Sequence, residues 1–174
     1  MRNDFLLINE TDIKQNSVVG DNLDAKYIAP CIVAVQDAYL ENLIGSRLIQ
    51  KLGAMIADGT IATTPDYKNL LETYIQPYLK NKTISEICVQ IFAKIRNAGM
   101  AQFTDTNQNN VSLENVNYLR KHYDDLALVY GNRMIDYLNK NRSLFPEYNC
   151  VCPVDGGDVN PSGKQGQNYC SIHF

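Results

Sequence analysis

Residues Thr64 to Gly99, TPDYKNLLETYIQPYLKNKTISEICVQIFAKIRNAG, decide the fold. Thr64 has the chemistry of a helix N-cap, Pro65 suits the first helical position, and Asp66 lies near the positive end of the helix dipole. Leu70, Leu71, Tyr74, Ile75, Tyr78 and Leu79 then recur at helical spacing. Thr83 and Glu86 have capping-box spacing, which predicts a capped break and a second helix. Its apolar stripe is Ile84, Ile87, Cys88, Ile91, Phe92 and Ile95, with Gly99 as its stop. Pro77 predicts a kink or an early finish in the first of the two. Neither greasy face is stable in water, so the rest of the chain must cover it.

Upstream, Ile28, Ile32, Val35, Tyr39 and Leu43 follow helical spacing from about Asn22, with Leu40 and Ile44 widening the stripe. Pro30 is expected in the first turn, where a missing N–H costs least. Gly45 ends or bends this helix. Ser46 recaps it, and Leu48, Leu52, Met55 and Ile56 carry the pattern on to Gly59. Glu10 to Asn22 is polar and reads as a loop. Phe5 to Asn9 is a short apolar arm, an edge strand or a segment that lies on a neighbour.

Downstream, Ala101 to Asn110 is polar and reads as a connection. Ser112 caps a last helix whose stripe is Val116, Leu119, Tyr123, Leu126, Tyr130, Met134 and Tyr137. Gly131 in its middle costs about 1 kcal/mol relative to Ala, so it permits close packing or a bend. Pro146 marks the end. The expected architecture is all-α: a bundle of four to five helices over residues 1–145, with a short extended N-terminal arm, then a Gly/Pro/Cys-containing C-terminal tail at 146–174. The tail has too few large apolar residues to bury itself.

The whole chain has 174 residues, 45% apolar and 20% charged, with a net charge of −3. That is enough for one domain with a core. The acidic balance and the lack of a basic run argue against strong phosphate binding. The N-terminal apolar run of four residues is too short for a signal peptide or a membrane span, which predicts synthesis in a reducing cytosol. An odd number of cysteines, five, argues against a closed disulfide framework.

Catalytic signatures are lacking: there is no GxSxG, GxGxxG, P-loop or HExxH. His122, on the last helix beside charged residues, is better read as a solvated side chain than as a general base. Asp124 and Asp125 point about 100° apart on a helix and do not form a carboxylate pair. Tyr118, Tyr123, Tyr130 and Tyr137 are read as core or core edge ahead of an interface stripe. Cys31 and Cys88 fall on apolar stripes and read as core. The tail holds one sharper possibility. Cys150, Cys152, Cys170 and His173 supply three thiols and an imidazole, the donor set of a zinc knuckle, although CxC is a less usual half-site than CxxC. The plainer explanation is free cysteines, and on that reading the protein has no metal or cofactor. The alternative is a small helical interaction or regulatory protein built around that knuckle.

Three segments carry a resemblance. The first helix reads Ile28-x-Pro30, then Ala34-x-Gln36-Asp37-x-Tyr39, then Leu43-Ile44-Gly45-x-x-Leu48. The central stretch reads Tyr67-x-x-Leu70-Leu71-x-x-Tyr74-Ile75-x-Pro77-Tyr78-Leu79, and the last helix reads Tyr130-x-x-Arg133-x-x-x-Tyr137-Leu138. In order and spacing, residues 5 to 145 resemble the head–tail connector (adaptor ring) proteins of tailed bacteriophages, in particular small ones from crAss-like phages of gut Bacteroides. The resemblance implies an all-α structural virion protein without enzymatic activity, made in the host cytoplasm. It implies a homo-oligomeric ring, usually of twelve copies, between the portal protein and the next neck or tail protein. DNA would pass through that ring without sequence-specific binding, and no membrane would be involved. The cysteine-bearing tail is not part of the pattern.

Overall fold

Thr64 adopts the extended backbone of a cap residue, φ −114° and ψ 90°, and Pro65 follows as the first helical residue. The Thr64 carbonyl accepts the Lys68 N–H at 3.0 Å. Its hydroxyl is spent elsewhere, donating to the Thr60 carbonyl at 2.7 Å. The computed structural model describes residues 5–15, 25–96, 99–102 and 113–148. Helices α1 (Glu10–Gln15), α2 (Ala25–Val35), α3 (Glu41–Ile44), α4 (Ser46–Ala57), α5 (Pro65–Asn69), α6 (Gln76–Phe92) and α7 (Leu113–Lys140) make up most of them. Wide π turns at Gln36–Leu40 and Leu70–Ile75 join α2 to α3 and α5 to α6. The result is four long rods and the short α1, an all-α bundle.

The capped break expected at Thr83 is absent: α6 runs unbroken from Gln76 to Phe92. The capping box lost to burial. α6 packs against α2 and also against α7, and Tyr78, Leu79, Thr83, Ile84, Ser85 and Ile87 are all buried around it. A helix covered on both sides gains more by continuing than by stopping for a cap. Glu86, the other half of the box, instead accepts a hydrogen bond from Tyr39.

The helix also stops short of Gly99. Ala93–Arg96 (β1) pairs antiparallel with Gly99–Gln102 (β2), with Ile95 opposite Met100. The stretch therefore ends in a small hairpin, and Ile95 is not on a helical stripe. Local helical spacing could not reveal this, because the pairing partner, Gly99–Gln102, lies beyond the glycine that reads as the helix stop.

Pro77 resolves differently from a simple kink. It is the second residue of α6, just after the π turn, where the Gln76 N–H reaches back five residues to the Leu71 carbonyl. The wide turn gives the ring room past the carbonyl of Thr73. Pro30 is not in a first turn: it is the sixth residue of the described helix α2, on its exposed side. Gly45 ends α3 at φ 82°, ψ 153°, a conformation open to glycine, and α4 begins at Ser46. Glu10 to Gln15 is helical where a loop was expected. Its signal is a reciprocal cap: the Asn9 N–H donates to an Asp12 carboxylate oxygen at 2.9 Å and the Asp12 N–H to Asn9 Oδ1 at 2.8 Å.

The core is one cluster. It joins Leu7, Ile13, Ile28, Ile32, Leu40, Leu48, Leu52, Leu70, Ile75, Leu79, Met134 and Leu138, among others. Each fully buried aliphatic side chain contributes roughly 1.5–3 kcal/mol. Gly131 is packed close, as its position suggested: a Cβ there would lie 3.3 Å from the Tyr78 ring. The core also reaches past the expected end of the helical domain. Phe145 and Tyr148 are both buried, Tyr148 in the short 3-10 turn Pro146–Tyr148.

Candidate functional site

The most organised polar feature lies where the first π turn, α6 and α7 meet. Lys82 projects from α6 toward Asp124 of α7, with Nζ 2.7 Å from Oδ1, and also lies 3.2 Å from Glu86 Oε1 one turn on. The ammonium sits 4.2 Å from the centre of the Tyr39 ring, and the Tyr39 hydroxyl donates to Glu86 at 3.2 Å. Burial alone would pull the Lys82 pKa down. The hydrogen bonds and charges of Asp124 and Glu86 outweigh it and hold the group above its ordinary 10.5. The Tyr78 phenol is pushed well above its usual range by burial first, then by Tyr39 and Asp124. This cluster is a charge-paired tie among three elements, and it leaves the Tyr39 ring partly exposed. The Lys82–Glu86 half was legible as an i, i+4 pair. The Asp124 half, which joins residues 42 apart in the sequence, was not.

The second feature is the seat of the N-terminal arm. Gln36 is buried at the start of the first π turn. Its Oε1 accepts the Leu7 N–H at 3.0 Å, and its Nε2 donates to the Phe5 carbonyl at 3.0 Å. The arm therefore packs on its own chain. The sequence held a signal for this: Gln36 is a polar residue at i+4 from Ile32 and i−4 from Leu40, inside an apolar stripe.

The other residues singled out are scattered. His122 is exposed, its ring edge-on to Tyr123 at 5.5 Å. Of the four tyrosines, Tyr123 is buried, Tyr130 and Tyr137 border the core, and Tyr118 stands 76% exposed. Tyr137 stacks on Tyr74 at 4.3 Å, and Phe145 meets Tyr67 edge-on at 5.1 Å. The Tyr67 hydroxyl donates to Glu147 at 2.8 Å, which pins the C-terminal turn. Burial and that bond push the Tyr67 phenol well up. Cys31 is fully buried, its thiol donating to the Tyr27 carbonyl, and burial pushes its pKa up to about 11. Cys88 is half-buried and also shifted up by burial. Cys150, Cys152, Cys170 and His173 lie outside the described residues. Among the described residues no three His, Cys, Asp or Glu side chains gather as metal ligands would, and no helix is long and apolar enough to cross a membrane.

The outward face of α7 completes the inventory. Leu128 and Val129 are more than half exposed, and Tyr118, three turns before Val129, shares its stripe.

Fold and site together define an all-α bundle tied by polar clusters between its helices. The chain belongs to a family of unknown function, DUF6712, whose model matches residues 40–156. No curated protein and no solved structure matches it.

Proposed function

We propose that this chain is a structural subunit of a ring adaptor between the portal and the tail of a bacteriophage, extending the DNA channel and helping to attach the tail. One observation carries the reading. The three segments that resemble connector proteins pack as one core, through Ile28, Ile44, Leu48, Leu70, Leu71, Ile75, Leu79 and Leu138, while α7 keeps Tyr118, Leu128 and Val129 outside it. An assembled ring gives such residues a partner. The net charge of −3 suits a channel wall along which DNA slides, since few phosphates would be held.

The test is to mix the purified protein with its portal and image by negative stain. Coaxial rings are the expected result. A protein that ignores the portal at every salt concentration overturns the proposal.

A further inference from the structure

The outward face of α7 reads the same way from either end. Tyr118, Lys121, Asp125, Leu128, Asn132 and Asp136 follow one another at spacings of three and four residues, which puts them on one face about 100° wide. Each is exposed, Tyr118 to 76% and Leu128 to 57%, and Val129 beside them to 54%. The opposite side of the helix turns Tyr123, Met134 and Leu138 into the core.

Leu128 and Val129 lie at the middle of that face. A two-fold axis between them sets Leu128 of one copy against Val129 of a second in an antiparallel helix pair. The same operation sets Lys121 against Asp136 and Asp125 against Asn132, once on each side of the axis. Tyr118 then meets Asn139, phenol against amide. The register is specific. A slide of one turn in one direction sets Asp125 against Asp136 and Lys121 against Lys140, and a slide in the other sets Lys121 against Arg133. A parallel pairing sets every charge against its own copy. Each alternative opposes like charges directly, which selects against it, and the antiparallel pairing about Leu128 and Val129 does not.

We propose that the exposed face of α7 is a docking site for the same face of a second copy, giving a two-fold dimer of the free protein. Three apolar side chains per copy, set among charged and amide groups, make the kind of contact formed by chains that also exist apart. The dimer goes beyond the ring reading and does not rest on it: a ring joins unlike faces of its neighbours, whereas this contact joins like faces. A face paired in this way is closed to a ring neighbour, so under the ring reading the two contacts use α7 in turn.

The experiment is sedimentation velocity on the full chain without portal, from about 1 to about 200 μM protein at low and at high salt. A shift from the 19.6 kDa monomer to twice that mass is expected, at lower protein concentration in low salt. A monomer at every concentration overturns the proposal. Open-ended association does the same, because a two-fold contact closes on itself. Lys121→Asp and Asp136→Lys each oppose like charges on both sides of the axis, and each alone is expected to weaken the dimer by about tenfold or more. An equimolar mixture of the two variants regains both opposite-charge pairs, so dimers are expected to return at the parent's concentrations. Both side chains are exposed, and thermal unfolding checks that each variant keeps its fold. Dimers unchanged in either folded variant, or variants that stay monomeric when mixed, overturn the pairing. Failure here leaves the ring reading standing, and failure of the portal imaging leaves the dimer standing.

Discussion

Gly53 has a packing partner that tests its role cleanly. A methyl group there would enter the Phe5 ring, whose nearest atom would lie 2.2 Å away. Gly53→Ala is therefore expected to push the arm out and cost about 1–3 kcal/mol, even though Ala is the better helix former. In a Phe5→Ala background the same change should cost little or be stabilising. Urea unfolding of the two single variants and the double variant measures the coupling, and strict additivity would sink the assignment. Cys31 makes a prediction about pH. Its folded thiol keeps its proton up to about 11, against an ordinary 9.0. Between those values the unfolded chain releases this proton and the folded chain does not, so rising pH favours unfolding. The stability is complete below pH 9 and is lost from pH 9 to 11, by on the order of 2 kcal/mol. The phenols of Tyr67 and Tyr78 add to the loss above pH 10. Urea midpoints at pH 8 to 11 should thus fall faster for the parent than for Cys31→Ala. Parallel curves would remove Cys31 as a contributor.

Within α6, the hydroxyls of Thr83 and Ser85 are buried with no hydrogen-bond partner among the described residues. Thr83 is the residue whose chemistry read as a cap, and its structural setting inverts that reading. A hydroxyl useful at a helix start is a cost in the middle of one. Thr83→Val keeps the shape and removes the orphan, so it should stabilise the protein by about 1 kcal/mol in thermal or urea unfolding; a loss of that size would mean that the hydroxyl has a partner. The same helix shows what the sequence could and could not convey. Apolar periodicity placed Tyr78, Leu79, Ile84 and Ile87 in the core, because burial is recorded residue by residue. It could not show that the helix is covered on two sides, since that depends on α2 and α7 arriving from elsewhere in the chain. Both π turns were hidden for a similar reason. Only the bond from Gln76 to Leu71, or from Glu41 to Gln36, reveals the extra residue. Of the polar clusters, Lys82 with Glu86 was readable as a local pair, whereas Asp124 and the arm on Gln36 join residues brought together only by folding.

At the scale of the whole molecule, the face of α7 that the core does not use is the surface the ring proposal turns on. Exposed apolar residues are ordinary when single. Leu128 and Val129, however, are adjacent at mid-helix, 57% and 54% exposed, and Tyr118 stands on the Val129 stripe with His122 and Asp125 between them. Such a mixture of apolar and charged side chains suits a contact between subunits that also exist apart. Under the ring proposal, Leu128→Glu with Val129→Lys should abolish rings on the portal by placing two opposite charges where neighbours meet. The charges cancel in sum and both side chains already face water, so monomer stability should change by less than about 0.5 kcal/mol. Thermal unfolding checks that the subunit is intact, and negative-stain imaging with portal checks assembly. Loss of rings with an unchanged melting temperature assigns α7 to the contact. Persistent rings move the contact to another face.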